Sequence, residues 1–228
     1  TNRQKILLKM NRKLIYTLIF SLSYFVVFAQ EKKEEKKKEW HYQPNFMVGF
    51  DLLNTGASFF SDRKLYQGFI SSKIKDNVHG VIDAGFESNV YQKNGYDAKV
   101  NGAFLRVGGF YMLAKDPENE FNGFYGGGKL AGSFYKQEYM AVPVRGYGGS
   151  SSSIAFPSST QSSYWIEASL GGRVQLFESN FYIDVNLQPK YLIYTTKQDE
   201  IQPMIVPGFG RSSGKFTMGF AWNIAYKF

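Results

Sequence analysis

The chain has no cysteine, two histidines and seven prolines in 228 residues. Without cysteine there is no disulfide, no thiol nucleophile and no thiolate metal site. With only His41 and His79, little is available for acid–base or nucleophilic chemistry, which needs a His with a Ser or a carboxylate in reach. Past residue 30 no apolar run is long enough for a membrane helix. Charge of one sign is also scarce. The formal net charge of +8 falls to +3 once the five basic residues of 1–29 are set aside, which is no footprint of nucleic-acid binding.

Aromatic residues and glycine are abundant instead: Tyr 16, Phe 21, Trp 3 and Gly 23. Residues 1–29 read as a secretory signal peptide. Lys5, Lys9, Arg12 and Lys13 give a basic start, Leu14 to Phe28 an apolar core, and Val27-Phe28-Ala29 a cleavage site. Met10 is read as the initiator, with Thr1 to Lys9 upstream of it. The rival reading, an uncleaved anchor, needs a longer apolar run. Residues 30–43 hold the mixed-charge run EKKEEKKKE at 31–39. With almost nothing apolar to bury, it reads as a periplasmic tether, or else as a contact arm.

From Phe216 the apolar side chains fall on every second residue: Phe216, Met218, Phe220, Trp222, Ile224, Tyr226 and Phe228. A strand sends successive side chains to opposite faces, so this is one continuous apolar ladder. A membrane barrel shows that pattern in every strand, with lipid on one face and lumen on the other. Comparable alternation predicts a strand from Phe46 to Leu52 and others over 64–74, 78–91, 99–113, 124–140, 164–177 and 181–195. Residues 54–62, 141–162 and 196–212 read as loops, and Asn94-Gly95 is a hairpin signal. Pro189 has no N–H to pair, which predicts a bulge. The turns 75–77, 114–122 and 178–180 are short or polar. The connections on the other side include the two longest. That asymmetry matches outer-membrane barrels and puts both termini in the periplasm. The expected fold is all-β: an eight-stranded antiparallel transmembrane β-barrel of outer-membrane type over residues 44–228, with a filled polar lumen.

On this alternation the inward faces carry Asp51, Asp83, Glu87, Glu167 and Asp184, and also Arg106, Lys129, Arg173, Lys190 and Lys227. Eight strands enclose only enough space for side chains. Unpaired charges there would cost several kcal/mol each, so equal numbers of acids and bases predict an ion-pair network rather than a pore. Periodicity alone leaves open the inverse, a soluble lipocalin-like barrel with these charges outside. Gly126-Gly127-Gly128 lacks the Gly-Lys-Ser/Thr and the helix of a phosphate loop. Asp199-Glu200 is too sparse for a calcium site. No catalytic residue, cofactor or metal is expected. Apolar residues in the expected outer loops, Val142, Ile154, Phe156, Ile201, Met204, Ile205, Val206 and Phe209, either bind a partner or pack over the barrel mouth.

Three stretches resemble small outer-membrane barrels of Bacteroidota. They are the signal ending Val27-Phe28-Ala29-Gln30, the segment Val48-Gly49-Phe50-Asp51-Leu52-Leu53-Asn54-Thr55-Gly56, and the terminus Tyr226-Lys227-Phe228. The resemblance covers 44–228 and implies a family of unknown function that supplies an accessory barrel to the outer-membrane barrel-assembly machinery. It brings no catalytic residues. The expected role is therefore a non-enzymatic structural or accessory subunit of an outer-membrane complex. Its expected partners are membrane lipid and other barrel or lipoprotein subunits, with no nucleic acid and no small-molecule substrate. The alternative is an autonomous barrel with lipid-modifying or narrow transport activity. A lipid-modifying site would need polar residues converging at the external rim, and transport would need a continuous lumen.

Overall fold

Period-two alternation becomes a ring of eight strands. A computed structural model of the chain describes residues 45–145, 151–198 and 201–228. The expected signal peptide, the whole tether with His41, Gly148-Gly149-Ser150 and Asp199-Glu200 lie outside the described residues. In chain order the elements are β1 (Phe46–Asp51), α1 (Leu52–Ser58), β2 (Arg63–Lys75), β3 (Val78–Lys93), β4 (Tyr96–Lys115) and β5 (Gly123–Arg145). They continue with β6 (Ser151–Gln175), β7 (Phe181–Thr195), β8 (Ile205–Val206), β9 (Gly210–Arg211) and β10 (Phe216–Lys227). The ring runs β1-β10-β7-β6-β5-β4-β3-β2 and closes on itself, while β8 and β9 form a separate hairpin. All neighbours are antiparallel. Closure joins the two ends of the described chain, with Met47 opposite Lys227 and Asp51 opposite Asn223. The rim holding Met47 and Lys227 is the base, and the other rim is the mouth.

The side-chain pattern chooses between the two possible faces. The outward face is apolar: Phe124 and Leu130 are each 68% exposed, as are Phe216, Met218, Phe220 and Trp222 to lesser degrees. The inward face buries Arg106, Glu167, Arg173 and Asp184 to 3% exposure or less. This is the inverse of a lipocalin-like barrel, whose apolar residues would point in. On the outer wall the apolar band stops at Phe134 of β5. Beyond it, toward the mouth, the exposed residues include Lys99 and Asn101 on β4, Lys136 and Glu138 on β5, and Ser158 and Thr160 on β6, with the apolar Met140 and Ile154 exposed higher up.

Turn chemistry fixes several registers. At the β3–β4 turn Asn94 and Gly95 both have positive φ, 55° and 79°, as a two-residue hairpin requires. At the β2–β3 turn Asn77 does the same, with φ 63°.

Three expectations are corrected. The stretch 141–162, expected to be a loop, is mostly strand. β5 runs to Arg145 and β6 begins at Ser151, with Val142 opposite Ile154 and Tyr139 opposite Phe156. Gly, Ser and Pro conceal the strand pattern there, but cross-strand pairing and the neighbouring β4, which reaches Ala141, hold it extended. The stretch 54–62 contains helix α1. Asp51 caps it by accepting from the Asn54 backbone N at 3.1 Å, a cap geometry that short polar residues favour. Finally, Pro189 makes no bulge. The β6–β7 ladder stops at Glu167↔Lys190 and resumes at Leu170↔Leu187 in the same register. The missing N–H thus falls in a gap, and the register shift lies at Tyr164/Trp165 instead.

Candidate functional site in the barrel interior and at its mouth

The lumen is filled in three layers. Nearest the base, Met47, Phe69, Val81, Phe110, Phe121, Tyr125 and Tyr182 form an apolar cluster. His79 stacks on Phe110 with centroids 4.9 Å apart and meets Phe121 edge-on, so its ring is packing here. Lys227 sits with its Nζ 4.2 Å from the centre of the Phe121 ring, an arrangement that ring quadrupoles favour. Arg173 bridges to the next layer. Its guanidinium lies over Phe110 at 5.4 Å, and its Nε is 2.9 Å from Asp184 Oδ2. Asp184 also accepts from Tyr125 OH at 3.0 Å, Asn186 Nδ2 at 3.0 Å and Asn223 Nδ2 at 3.2 Å.

The middle layer centres on Glu167. Arg106 Nη1 lies 3.4 Å from its carboxylate, Lys190 Nζ 3.9 Å and Lys129 Nζ 4.0 Å. Lys129 also pairs with Asp83 at 2.8 Å. Arg106 spends its other donors on Gln67 Oε1 at 2.6 Å and Gln188 Oε1 at 3.2 Å. Register explains the assembly. Asp83 lies directly opposite Arg106 across β3–β4, and Glu167 lies opposite both Lys129 and Lys190 across β5–β6 and β6–β7. Directly opposed residues share a face, so three ladders deliver these groups to one level. Buried charges of this kind persist only when paired and hydrogen-bonded.

The top layer is a lid made by the β7–β10 connection. Ile205, Val206 and Phe209 are buried at 4%, 0% and 2% exposure. They pack with Leu65, Val100, Phe104, Tyr135, Trp165 and Leu192, and Met204 packs against the same cluster. Phe209 meets the Trp165 ring at 5.8 Å. Gly208 ties the lid to the charges below. Its N–H donates to Glu87 Oε2 at 2.8 Å, and its carbonyl accepts from Lys190 Nζ at 2.7 Å. Its φ of +77° and the Phe104 ring, 2.5 Å from where a Cβ would stand, leave room for glycine only.

The ten inward charges of the sequence reading thus occupy different roles. Seven of them, Asp83, Arg106, Lys129, Glu167, Arg173, Asp184 and Lys190, form buried ion pairs with one another. Glu87 pairs instead with Arg63, Nε to Oε1 at 2.7 Å. Arg63 was missed because it adjoins the segment read as a loop. Asp51 caps α1 and accepts from Gln67 Nε2 and Asn54 Nδ2, and Lys227 stands on a ring. Alternation marks the polar partners Tyr125, Gln67, Gln188 and Asn223 as inward, but only the folded ladders show which charge each one meets.

The apolar residues assigned to outer loops separate in the same way. Ile205, Val206 and Phe209 are buried over the lumen, the packing alternative of the two open for the apolar loop residues. Val142, Ile154 and Phe156 lie in the extended β5–β6 hairpin, not in a loop. Ile201 forms a bridge with Gln198. From Ser163 down, β6 pairs with β7. Above it, the free edge of β6 receives Gln198, whose Nε2 donates to Pro157 O at 2.8 Å and whose Oε1 accepts from Ser159 Oγ at 2.6 Å.

The family model described as "Domain of unknown function (DUF6048)" matches residues 11–228. No curated protein matches the chain. Among solved structures the chain is similar to the N-terminal β-barrel domain of Pseudomonas aeruginosa OprF, at 13% identity and TM-score 0.35, over 82% of this chain and 100% of that one. It is also similar to Neisserial surface protein A (NspA), at 11% identity and TM-score 0.37, over 81% and 96%. Overlaps this low leave the fold to be read from the closed strand order itself.

Proposed function

We propose that this chain, which belongs to the DUF6048 family, is an outer-membrane β-barrel that serves as a non-catalytic structural or accessory subunit of a larger outer-membrane complex. One observation carries the membrane placement: the barrel is inverted, with its charges inside and its large apolar side chains outside. On β5 the apolar band runs from Phe124 to Phe134. That is about 11 residues, or roughly 26 Å in height at a tilt of about 40°, close to the apolar band of outer-membrane barrels. Water would leave this surface as a large exposed apolar patch, whereas lipid satisfies it.

The accessory role is supported by where the chain is filled and where it protrudes. Three packed layers supply neither the width nor the excess of one sign that an ion pathway uses. The wall of β4, β5 and β6 rises past the apolar band toward the mouth, and β5 and β6 are the longest strands, at 23 and 25 residues. Their polar outer face, together with the hairpin above it that holds Val142, Ile154 and Phe156, is the surface offered to another barrel or lipoprotein subunit. Both strand ends at the base are assigned to the periplasm and the tall wall to the exterior. The assembly that the sequence resemblance suggests is the barrel-assembly machinery of Bacteroidota.

The test is a mild-detergent pull-down of the tagged protein from outer membranes, with mass spectrometry of what accompanies it. Stoichiometric recovery of a second barrel or lipoprotein, lost when the outer face carries Lys136→Glu and the hairpin above it Ile154→Asp, is the expected result. Recovery of the folded barrel alone removes the accessory role, and recovery from the soluble periplasmic fraction removes the membrane placement.

A further inference from the structure

Three buried side chains in the lumen each hold one polar atom with no hydrogen bond among the described residues: Arg173 Nη1, Ser169 Oγ and Asp83 Oδ2. The residues are 2%, 3% and 6% exposed, too deep for bulk water to serve them. Lys129 Nζ approaches Asp83 Oδ2 at 2.8 Å, but a carboxylate oxygen has two lone-pair sites, so that contact leaves one open. Buried polar groups in folded proteins find partners, and these three face a common one.

All three residues line a single cavity of about 20 Å³. Phe69, Val81, Phe110 and Tyr125 of the base cluster line it too, as does Lys129 of the Glu167 layer. Alternation along β6 explains why room is left there. Its inward positions run Glu167, Ser169, Gly171 and Arg173, so two small residues stand between two long charged ones. The Tyr125 ring takes the space at Gly171, and the space that remains adjoins Ser169. The other polar groups on the lining are already engaged. Asp184 accepts from Arg173, Tyr125, Asn186 and Asn223, and Asn186 Oδ1 accepts from Gln188 Nε2 at 2.6 Å.

The three open atoms select their ligand by hydrogen-bond polarity. A guanidinium N–H only donates, a carboxylate oxygen only accepts, and a serine hydroxyl does either. An anion could accept from Arg173 but has nothing to give Asp83, and it would face the charges of both Asp83 and Asp184. A cation could serve Asp83 but cannot accept from Arg173, and it would meet Lys129 as well. The occupant is therefore small, neutral, and both donor and acceptor. A water molecule needs roughly 10–15 Å³ and typically makes about three hydrogen bonds when buried, which matches the volume and the number of open atoms.

We propose that this cavity is a built binding site for one water molecule, which accepts from Arg173 Nη1, donates to Asp83 Oδ2 and is positioned by Ser169 Oγ. The water joins the Arg173–Asp184 pair to the Asp83–Lys129 pair, so two ion networks that share no direct ion pair act as one. Held on three sides, a single molecule of this kind does not screen the Glu167 layer as bulk solvent would. The site depends on the closed barrel alone, not on the membrane placement or on a protein partner.

The experiment is a crystal structure of the full-length mature barrel, grown from detergent in sodium bromide and refined at a resolution that shows ordered water. The expected result is one water-sized peak about 2.7–3.2 Å from each of the three atoms, with no bromide anomalous signal. No density there, while ordered water is seen elsewhere on the protein, overturns the site, and an anomalous peak there replaces water with an anion. A pair of variants gives an independent readout in vesicle unfolding. Ser169→Ala keeps room for the water, whereas Ser169→Val fills the cavity and strands Arg173 Nη1 and Asp83 Oδ2. The folding equilibrium constant of the Val variant is expected to fall about tenfold or more below that of the Ala variant. A dry cavity reverses the sign, because added methyl groups fill a void, so a Val variant as stable as Ala or more stable overturns the proposal.

Discussion

Glu167→Gln is the most informative single change in the lumen. It keeps the side-chain shape and removes the one charge that Arg106, Lys190 and Lys129 approach at 3.4, 3.9 and 4.0 Å. At an effective dielectric of about 20, each contact at 4 Å is worth about 4 kcal/mol. Against this stands the cost of burying the carboxylate itself, several kcal/mol, which the variant recovers. Lys129 keeps Asp83, and Arg106 keeps Gln67 and Gln188, while Lys190 is left with the Gly208 carbonyl alone. The net loss expected is about 3–5 kcal/mol, the range for breaking a buried pair from one side. The assay is urea unfolding of the barrel in phospholipid vesicles, followed by tryptophan fluorescence, since Trp165 reports from the lumen. A second variant separates charge from shape: Glu167→Gln with Lys190→Met removes the stranded cation and should recover at least half of the loss. A loss below about 1 kcal/mol, as for solvent-screened surface pairs, would refute the claim that this layer is dry and tightly coupled.

Three other outcomes follow from the same structure. Leu130→Arg, in the apolar band, should cost about 2–4 kcal/mol in vesicle unfolding if it lies near the bilayer midplane. Ser158→Arg, above the band on the same outer face, should stay within about 0.5 kcal/mol, and equal costs would mean that the band is misplaced. Phe209→Ala should cost about 3–5 kcal/mol by emptying the lid, yet planar-bilayer recordings should show no conductance because the Glu167 layer still blocks the lumen. A stepwise current would contradict the three-layer filling. Gly95→Ala puts a Cβ on a residue at φ +79° and should lose about 1–2 kcal/mol, while an unchanged midpoint would mean the β3–β4 turn is not held in this conformation.

What could be read from the chain and what could not divides along one physical line. Local rules operate through the alternation of a strand and the φ demanded by a turn. They placed the eight strands to within a few residues at most ends, assigned Phe216 to Phe228 to one face and Arg106 to the other, and marked Asn94-Gly95 as a hairpin. They failed where the composition is poor in apolar contrast. Ser151 to Gln161 are strand because β5 holds them, not because their own residues demand it. Leu52 to Ser58 are helix because β1 ends at a capping Asp51 and two strand edges need covering.

The sequence by itself determined the all-β class of the protein and sorted most strand side chains into an apolar face and a charged one. A side-chain period of two admits only two faces, and the equal numbers of acids and bases on one of them allow that face to be enclosed as a paired network. Tertiary structure alone decided which face is inside, since exchanging inside for outside leaves the period unchanged. It also decided that Glu87 belongs to Arg63 and Gly208, that Ile205, Val206 and Phe209 turn inward as a lid, and that a helix closes the wall between β2 and β10. Each of these depends on contacts between residues far apart in sequence, from 24 positions for Glu87 with Arg63 to 166 for Asn54 with Phe220. Closing the ring brings such residues together, and no local rule reaches across those distances.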